Sequence, residues 1–241
     1  EEKIYLEYLI QDYSLDPDKF ELGVFRKSVK KERYSIAVIL PFNHDDRHKL
    51  GLRLRYYEML FGIEKAIDSL TQKGYAFDLH IFDSKNDTSE VAKILKDQRV
   101  IEADLLFGPV FPKTSEMVAQ FAQEQEKMYV NPLSGHESLI LGNRFTYLFG
   151  PSYEMEAKRV ADFTDTLPHD HVIILYGNKE KDSLKAFAYK AEVERLGKKV
   201  RDIRQFDRSN MNSLSSYIER NIAYKKDTLS HIYVASDYGF M

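Results

Sequence analysis

One segment of the chain, residues 101–137, contains in succession a strand, a loop, a helix, a second strand and a second loop. Residues 103–107 are a short apolar run that a Gly-Pro pair stops, and Pro112 opens a stretch whose apolar residues follow helical spacing. A second apolar run, residues 127–133, begins too far along the chain for a hairpin and at a suitable distance for a parallel crossover. The segment therefore predicts an open parallel sheet with helices packed against it.

The polar loops that follow the predicted strands are expected to share one rim of this sheet. Parallel crossovers are right-handed almost without exception, and ligands of open parallel sheets lie at the carboxyl ends of the strands. The loops at residues 43–48, 83–87, 108–114 and 132–136 each follow a predicted strand. We therefore expect these four loops to be neighbours and to form one side of a ligand cleft.

The same alternation of strand and helix continues on both sides of this segment. Further predicted strands cover residues 34–42, 75–82, 145–149, 172–176, 199–206 and 231–236, and further predicted helices cover residues 52–70, 89–98, 152–165, 183–196 and 212–223. The first strand is apolar throughout and rich in β-branched residues, which is typical of a strand covered on both faces. Strands that alternate with helices in this way predict parallel sheets.

The alternation of strands and helices is interrupted at residues 150–152, where Gly-Pro-Ser separates two series of strands. The predicted fold class is α/β, with two doubly wound parallel-sheet lobes and an N-terminal helical prefix. We expect residues 1–33 to form this prefix and a linker, residues 34–150 to form lobe one, and residues 151–241 to form lobe two, in incomplete form.

Composition and charge exclude several classes of protein. The formal net charge is -3 and the pI is near 6.2, so the whole chain has no attraction for nucleic acid or for an anionic membrane. The chain contains no Cys, which excludes disulfides, thiolate metal sites and thiol catalysis. No apolar run approaches the ~18 residues that a membrane span needs. The sequence opens on Glu-Glu-Lys without Met, so we expect any targeting segment to lie outside it.

Three polar positions in the sequence have residue types that catalysis or metal binding could use. Asp83 ends a predicted parallel strand, where a phospho-acceptor would also lie, but its supporting acids and Lys are not evident and a turn role is favoured. Residues 44–48 and 169–171 each combine two His with Asp, yet neither has a third well-spaced ligand. Phosphate-loop, dinucleotide-binding and nucleophile-elbow motifs are absent. We therefore predict a protein that is not an enzyme and that needs neither metal nor cofactor.

Several stretches of the sequence together resemble a known family. They are YSIAVILPF at 34–42, YEMLFGIEKAIDSL at 57–70, FDSKND at 82–87, LLFGPVFPKTSEMVAQFAQEQEKMYVNPLSG at 105–135, and Gly-Pro-Ser at 150–152 followed by VIILYGN at 172–178. In this order they are similar to type I periplasmic binding proteins, the Leu/Ile/Val-binding-like and receptor ligand-binding group. The Leu-Pro-Phe end of the first strand resembles envelope-associated bacterial members. The resemblance covers residues 34–236 and implies two lobes that close on a ligand about a hinge near residues 150–152.

The resemblance also implies which residues contact the ligand. In amino-acid-binding relatives, a hydroxyl residue after the glycine turn and small residues after the next proline hold the ligand carboxylate, helped by a helix N-terminus. Pro112 stands where that hydroxyl is expected, so Lys113, Thr114 or Ser115 would substitute for it. The expected ligand-binding residues are Asn43, Phe111, Lys113, Thr114, Ser134, Gly135, His136 and Tyr176. For Thr114 and Ser134 the alternative is that their hydroxyls only cap helix or turn.

Lobe two departs from the family pattern. Relatives usually carry Asp-x-Tyr-Gly after the first strand of this lobe, whereas residues 178–183 here are Asn-Lys-Glu-Lys-Asp-Ser, and Tyr176 is the replacement for the missing aromatic residue. In the family, the chain returns from lobe two to complete lobe one, and this sequence stops at Met241 before such a segment. We therefore expect exposed apolar surface and self-association.

Two functions follow from the resemblance. The first is an extracytoplasmic solute-binding protein, periplasmic or associated with the cell envelope, that binds a small polar and possibly amino-acid-like ligand for transport or sensing. The alternative is an envelope interaction module on the same fold that has lost its ligand and regulates a cell-wall or transport partner. The expected partners are thus a small polar ligand and a membrane transporter or cell-wall protein, without nucleic acid.

Overall fold

The computed structural model describes residues 31–43, 50–169, 171–206, 211–222 and 230–236. The chain divides into a unit of residues 1–33 and a compact unit of residues 34–241. The predicted N-terminal helices and the polar residues 44–48 lie outside the described residues.

Strands and helices alternate along the chain, which confirms the predicted α/β class. The strands are β1 (Tyr34–Leu40), β2 (Phe77–Asp83), β3 (Leu105–Phe107), β4 (Met128–Asn131), β5 (Thr146–Leu148), β6 (His171–Tyr176), β7 (Val200–Gln205) and β8 (Ser230–Ala235). The helices are α1 (Leu50–Thr71), α2 (Thr88–Ile94), α3 (Gln98–Ile101), α4 (Pro112–Glu124), α5 (Tyr153–Asp165), α6 (Glu180–Arg195) and α7 (Met211–Ile222), and Glu137–Leu139 is a short 3-10 helix.

Strands β1 to β5 form a parallel sheet, here called sheet A, in the order β2-β1-β3-β4-β5. The chain moves from β1 to β2 on one side and then crosses to β3 on the other side of β1. The direction of winding therefore switches between β1 and β3, and the loops that follow these two strands diverge there. Asn43 follows β1 and Phe111 follows β3, so both lie beside the crevice where ligands of such sheets bind.

Strands β6 to β8 form a second parallel sheet, here called sheet B, in the order β7-β6-β8. The chain moves from β6 to β7 on one side and then crosses to β8 on the other side of β6, so the direction of winding switches between β6 and β8. Gly177 directly follows β6 and Ser236 directly follows β8, so these two residues flank the crevice of sheet B. Sheet A precedes residue 150 and sheet B follows it, and we keep residues 34–150 and 151–241 as a proposed division into two lobes.

The central strand of sheet A is covered on both faces. Ala37 and Ile39 of β1 belong to the core that α2, α3 and α4 close. Val38 and Leu40 point the opposite way and pack with Tyr56 of α1. Because both faces of β1 are buried, its sequence is apolar throughout instead of alternating.

The central strand of sheet B is built in the same way. Ile174 packs with Tyr189 of α6, while Ile173 on the other face packs with Tyr217 of α7. Tyr189 also stacks on Tyr233 of β8, with ring centres 3.8 Å apart. Each sheet therefore has its own pair of cores, which fixes the positions of the loops at its carboxyl edge.

Two helix boundaries correct the sequence prediction. The helix predicted at residues 89–98 ends earlier, at Ile94, and a separate short helix, α3, begins at Gln98. The Asp97 carboxylate accepts a hydrogen bond from the backbone N–H of Arg99 over 2.9 Å and so starts a new helix at Gln98. The helix predicted from Ser183 begins earlier, at Glu180, which places Asp182 in its first turn.

Candidate functional site

The loops that follow the strands of sheet A meet at its carboxyl edge. The backbone N–H of Asn43, after β1, donates to Asp83 Oδ1 at the end of β2 over 3.2 Å. Asn131, at the end of β4, has its Nδ2 2.9 Å from the carbonyl oxygen of Pro109, which follows β3. These contacts confirm the predicted clustering of the loops for the residues that the structure describes.

Asn131 is the centre of a buried polar network behind this edge. Its Nδ2 lies 2.8 Å from both Ser115 Oγ and Tyr129 Oη, besides Pro109, so its two hydrogens are shared among three oxygen atoms. Its Oδ1 accepts from the backbone N–H of Ser134 over 2.7 Å. Burial raises the pKa of Tyr129 to about 12, so its hydroxyl stays neutral. The network fixes the turn that carries the predicted ligand residues after β4.

Thr114 and Ser134 both use their hydroxyls within the protein. Thr114 is only 1% exposed, and its Oγ1 donates to the carbonyl oxygen of Phe111 over 3.0 Å. Ser134 is 9% exposed, and its Oγ accepts from the backbone N–H of His136 over 3.2 Å. Both contacts are of the local capping type that the sequence left open as the alternative to ligand binding.

Gly135 and His136 contact the first residue of α5. The ring of Tyr153 lies directly over Gly135, where an added Cβ would come within 2.5 Å of Cε1. The backbone N–H of Tyr153 donates to the Gly135 carbonyl over 2.8 Å. The imidazole of His136 meets the same ring edge-on, with ring centres 5.1 Å apart. Tyr153 therefore joins the loop after β4 to the helix that leads towards sheet B.

Tyr153 also contacts α6, the helix that follows the central strand of sheet B. Lys185 Nζ lies 5.4 Å from the centre of the Tyr153 ring and 2.9 Å from Glu156 Oε2. Burial raises the pKa of the Tyr153 hydroxyl, and the Glu156, Glu154 and Asp182 carboxylates add to the rise, while the N–H of Gly135 opposes it. Tyr153 thus contacts both the loop after β4 of sheet A and the helix after β6 of sheet B.

The other predicted ligand residues have varied surroundings. Asn43 is half-buried, with a left-handed φ of 49°, and its Nδ2 donates to the Pro41 carbonyl over 2.8 Å. Phe111 is the N-cap residue of α4 without a capping side chain, and Lys113 is exposed in the first turn of that helix. Tyr176 ends β6 and packs against Phe187, so it lies on the sheet B side. Sheet A thus brings together all the predicted residues except Tyr176.

One of the two histidine pairs noted in the sequence lies at the opposite, amino edge of sheet B. His171 Nε2 is 2.7 Å from Ser230 Oγ, and the His169 ring is 5.6 Å from the ring of His231. Within the described residues, no three His, Cys, Asp or Glu side chains are grouped to hold a metal. Over the same part of the chain, no helix combines the length and the apolar character needed to cross a bilayer.

The sequence did not single out Tyr153, Lys185 or Asp182 as site residues. Tyr153 could have been found from the sequence, because it directly follows the Gly-Pro-Ser break, where the connection between the two series of strands begins. Asp182 lies in the stretch that departs from the family pattern. Its closeness to the end of β6 could have marked it as a residue at the carboxyl edge of the second sheet. Lys185 gave no signal, because lysines on helices usually lie in solvent.

No protein-family model and no curated protein sequence matches this chain. Known proteins were therefore matched to it by comparing three-dimensional structures. An ABC transporter substrate-binding protein from Desulfitobacterium hafniense, in complex with Leu, matches with a TM-score of 0.62 and 18% identity, over 85% of this chain and 59% of its own. A putative branched-chain amino acid ABC transporter from Rhodospirillum rubrum gives a TM-score of 0.68 and 14% identity, over 85% and 57%.

A third structure is a branched-chain amino acid transporter substrate-binding protein from Streptococcus pneumoniae in complex with isoleucine. Its TM-score is 0.54 and its identity 12%, over 84% of this chain and 56% of its own. The chain thus spans between 56% and 59% of the length of these three proteins. Structural similarity at these low sequence identities shows that the fold is shared. The chain has the α/β fold of the type I periplasmic binding proteins, as its sequence predicts.

Proposed function

We propose that this chain is the ligand-binding part of an extracytoplasmic solute-binding protein, in the periplasm or at the cell envelope. It binds a small polar, amino-acid-like ligand for transport or sensing and performs no catalysis. Its partner is a membrane transporter or a cell-wall protein. The observation that carries the proposal is the meeting of the sheet A loops at one edge, facing α6 of sheet B across Tyr153. The similar solved structures that hold Leu and isoleucine support the ligand class.

A second function is favoured by a specific observation. Thr114 donates its hydroxyl hydrogen to the Phe111 carbonyl, so it does not donate to a ligand carboxylate in this conformation, and Ser134 Oγ already accepts from the N–H of His136. An envelope interaction module that has lost its ligand would show this arrangement. Such a module would act by binding a cell-wall or transport partner.

Calorimetric titration of the whole chain with the common amino acids distinguishes the two functions. We expect at least one amino acid to bind, and we expect Ser134→Ala and Thr114→Ala each to weaken that binding. Unfolding free energy should change by less than about 1.5 kcal/mol in either variant, because each removes one hydrogen bond without opening a large cavity.

Ser138→Ala is the matched control, because Ser138 is an exposed hydroxyl residue in the short 3-10 helix that follows the loop of Ser134. It should bind the amino acid like the original protein. If the correctly folded chain binds no amino acid at millimolar concentration, the solute-binding proposal fails and the interaction module replaces it.

A further inference from the structure

We propose that His169 and His231 together bind a divalent transition-metal ion, such as Zn²⁺, at the amino edge of sheet B. This edge is opposite to the carboxyl edge of the same sheet, where Tyr176 and Asp182 lie. The inference is independent of solute binding. It assigns to the molecule a structural metal site that links β8 to the segment between α5 and β6.

The first argument is that the fold brings two histidines that are distant in sequence to the same place. His169 lies just before β6, and His231 is the second residue of β8, an outer strand of sheet B. The centres of their imidazole rings are 5.6 Å apart. Two imidazoles that share one tetrahedral metal ion, with nitrogens ~2.1 Å from it, have ring centres roughly 5 Å apart. A small rotation of either side chain therefore brings both rings to one ion.

The second argument is the hydrogen bond that His169 already makes. Its Nδ1 lies 2.9 Å from the carbonyl oxygen of Leu167. A carbonyl oxygen can only accept, so the hydrogen of the neutral ring is on Nδ1 and the lone pair is on Nε2. Histidines that bind a metal almost always donate their other ring N–H to a carbonyl, a carboxylate or water, which fixes the orientation of the ring. His169 has such a partner in Leu167.

The third argument is the state of His231. Its ring is half-buried, with its centre 6.4 Å from that of Tyr189. Neither of its ring nitrogens has a hydrogen-bond partner among the residues that the structure describes. A polar nitrogen at the margin of a core is more stable when it has a partner. A metal ion held jointly with His169 would be that partner.

The neighbouring histidine, His171, does not belong to this site. Strand pairing places His171 beside Ser230 and Val172 beside His231. Because successive side chains of a strand point to opposite faces, His171 and His231 lie on opposite faces of sheet B. His171 Nε2 is instead 2.7 Å from Ser230 Oγ. Residues 169–171 therefore contain no well-spaced set of ligands by themselves, whereas the pairing of β8 with β6 supplies His231.

The charges at this edge permit a bound cation. Helix α5 ends at Asp165, so the negative end of its dipole is close to His169 in the chain. Lys198 Nζ is paired with Asp165 Oδ1 at 3.5 Å, and Arg201 Nη1 lies 3.3 Å from His171 Nε2. These two cationic side chains thus face partners other than the His169–His231 pair.

The donor atoms decide the class of ion. Imidazole nitrogen suits zinc, copper and nickel, whereas magnesium and calcium take oxygen ligands. The chain contains no Cys, so no thiolate competes for such an ion. Both rings are only half-buried, which leaves water to complete the coordination shell. Two protein ligands with water in the other positions make an exchangeable site.

The test uses the whole chain. Thermal unfolding is followed with ZnCl₂, with MgCl₂ and with EDTA, and Zn²⁺ binding is measured by calorimetry. The variants are His169→Ala and His231→Phe, the second of which keeps an aromatic ring against Tyr189. The control is the double variant His44→Ala with His48→Ala, which removes two other histidines that are close in sequence. Circular dichroism verifies that each variant is folded.

We expect Zn²⁺ to raise the midpoint of thermal unfolding and EDTA to reverse the rise, because an ion that binds the folded chain stabilises it. Each single variant should lose this rise. Each should also bind Zn²⁺ at least about tenfold more weakly, since loss of a partner behind a ligand alone costs about 10- to 100-fold in affinity. The control should behave like the original protein, and MgCl₂ should produce no comparable rise.

Two results would overturn the proposal. If His169→Ala and His231→Phe bind Zn²⁺ as tightly as the original protein, the ion is held elsewhere, and loss of binding in the control would place it at residues 44–48. If the folded original protein binds no Zn²⁺ at millimolar concentration and its unfolding midpoint does not change, the site does not exist. Should His231→Phe fail to fold, His169→Ala decides between these results. None of them bears on whether the chain binds a solute.

Discussion

Gly135 shows how one residue can connect two parts of this molecule. Its Cα lies beneath the ring of Tyr153, so any side chain there would push the ring away. The ring is held on its other sides by His136 and Lys185. Small changes at Gly135 therefore act on the contact between the loop after β4 and helix α6.

We expect Gly135→Ala to lower the free energy of unfolding by about 1–3 kcal/mol, because the added methyl group overpacks this contact. Urea denaturation measures the change. Gly150→Ala is the matched control, since a Cβ at Gly150 would have no atom within 4 Å. If the two variants have the same stability, Tyr153 moves aside without cost and the contact is not tight in solution.

At the scale of elements, Asn131 holds together parts that are distant in sequence. It ends β4, and its side chain contacts the loop after β3 at Pro109 and helix α4 at Ser115. Helix α4 starts without a side-chain cap, so its first turn depends on such contacts for its position. The carboxyl edge of sheet A is therefore supported from behind by buried hydrogen bonds.

Replacing Asn131 with alanine should destabilise the protein by about 3 kcal/mol, because several buried hydrogen-bonding groups lose their partner at once. Chemical denaturation gives the value. Asn178→Ala changes the same residue type in an exposed loop and should alter stability by less than about 0.5 kcal/mol. Equal stability of the two variants would contradict a structural role for the buried network.

At the scale of the whole molecule, one face of sheet A is only partly covered. Helix α1 covers this face at β1 and β2, with Tyr56 packed on Val38 and Leu40. Farther along the same face, Met128 of β4 is 50% exposed and Tyr147 of the edge strand β5 is 51% exposed. An exposed apolar face beside a free strand edge favours association with other molecules.

We expect the chain to self-associate as its concentration rises, as measured by light scattering, and the double variant Met128→Lys with Tyr147→Lys to remain monomeric, since charges oppose edge association. The matched control is Gln120→Lys with Gln125→Lys, which adds the same charge at exposed positions of α4 and its end. The control should associate like the original chain. A strictly monomeric original chain at high concentration would show that this face does not drive association.

Much of the architecture could be predicted because it depends on patterns along the chain. The continuous apolar run of β1 and the distance between β3 and β4 predict buried parallel strands, and sheet A has this arrangement. The prediction failed where a local hydrogen bond interrupts a pattern. The predicted helix at residues 89–98 was too long: α2 ends at Ile94, and the Asp97 carboxylate caps the start of a separate helix at Gln98.

The sequence alone determined the α/β alternation, the parallel order and the loops that meet at the sheet edge, because periodicity and connection length are local properties. The tertiary structure alone decided what each side chain in those loops contacts. It turned the hydroxyl of Thr114 towards Phe111, placed Tyr153 over Gly135, and buried Asp182 beside Gly177. The physical reason is that hydrogen bonds and close packing depend on distances of a few ångströms between residues far apart in sequence, and no spacing along the chain encodes such distances.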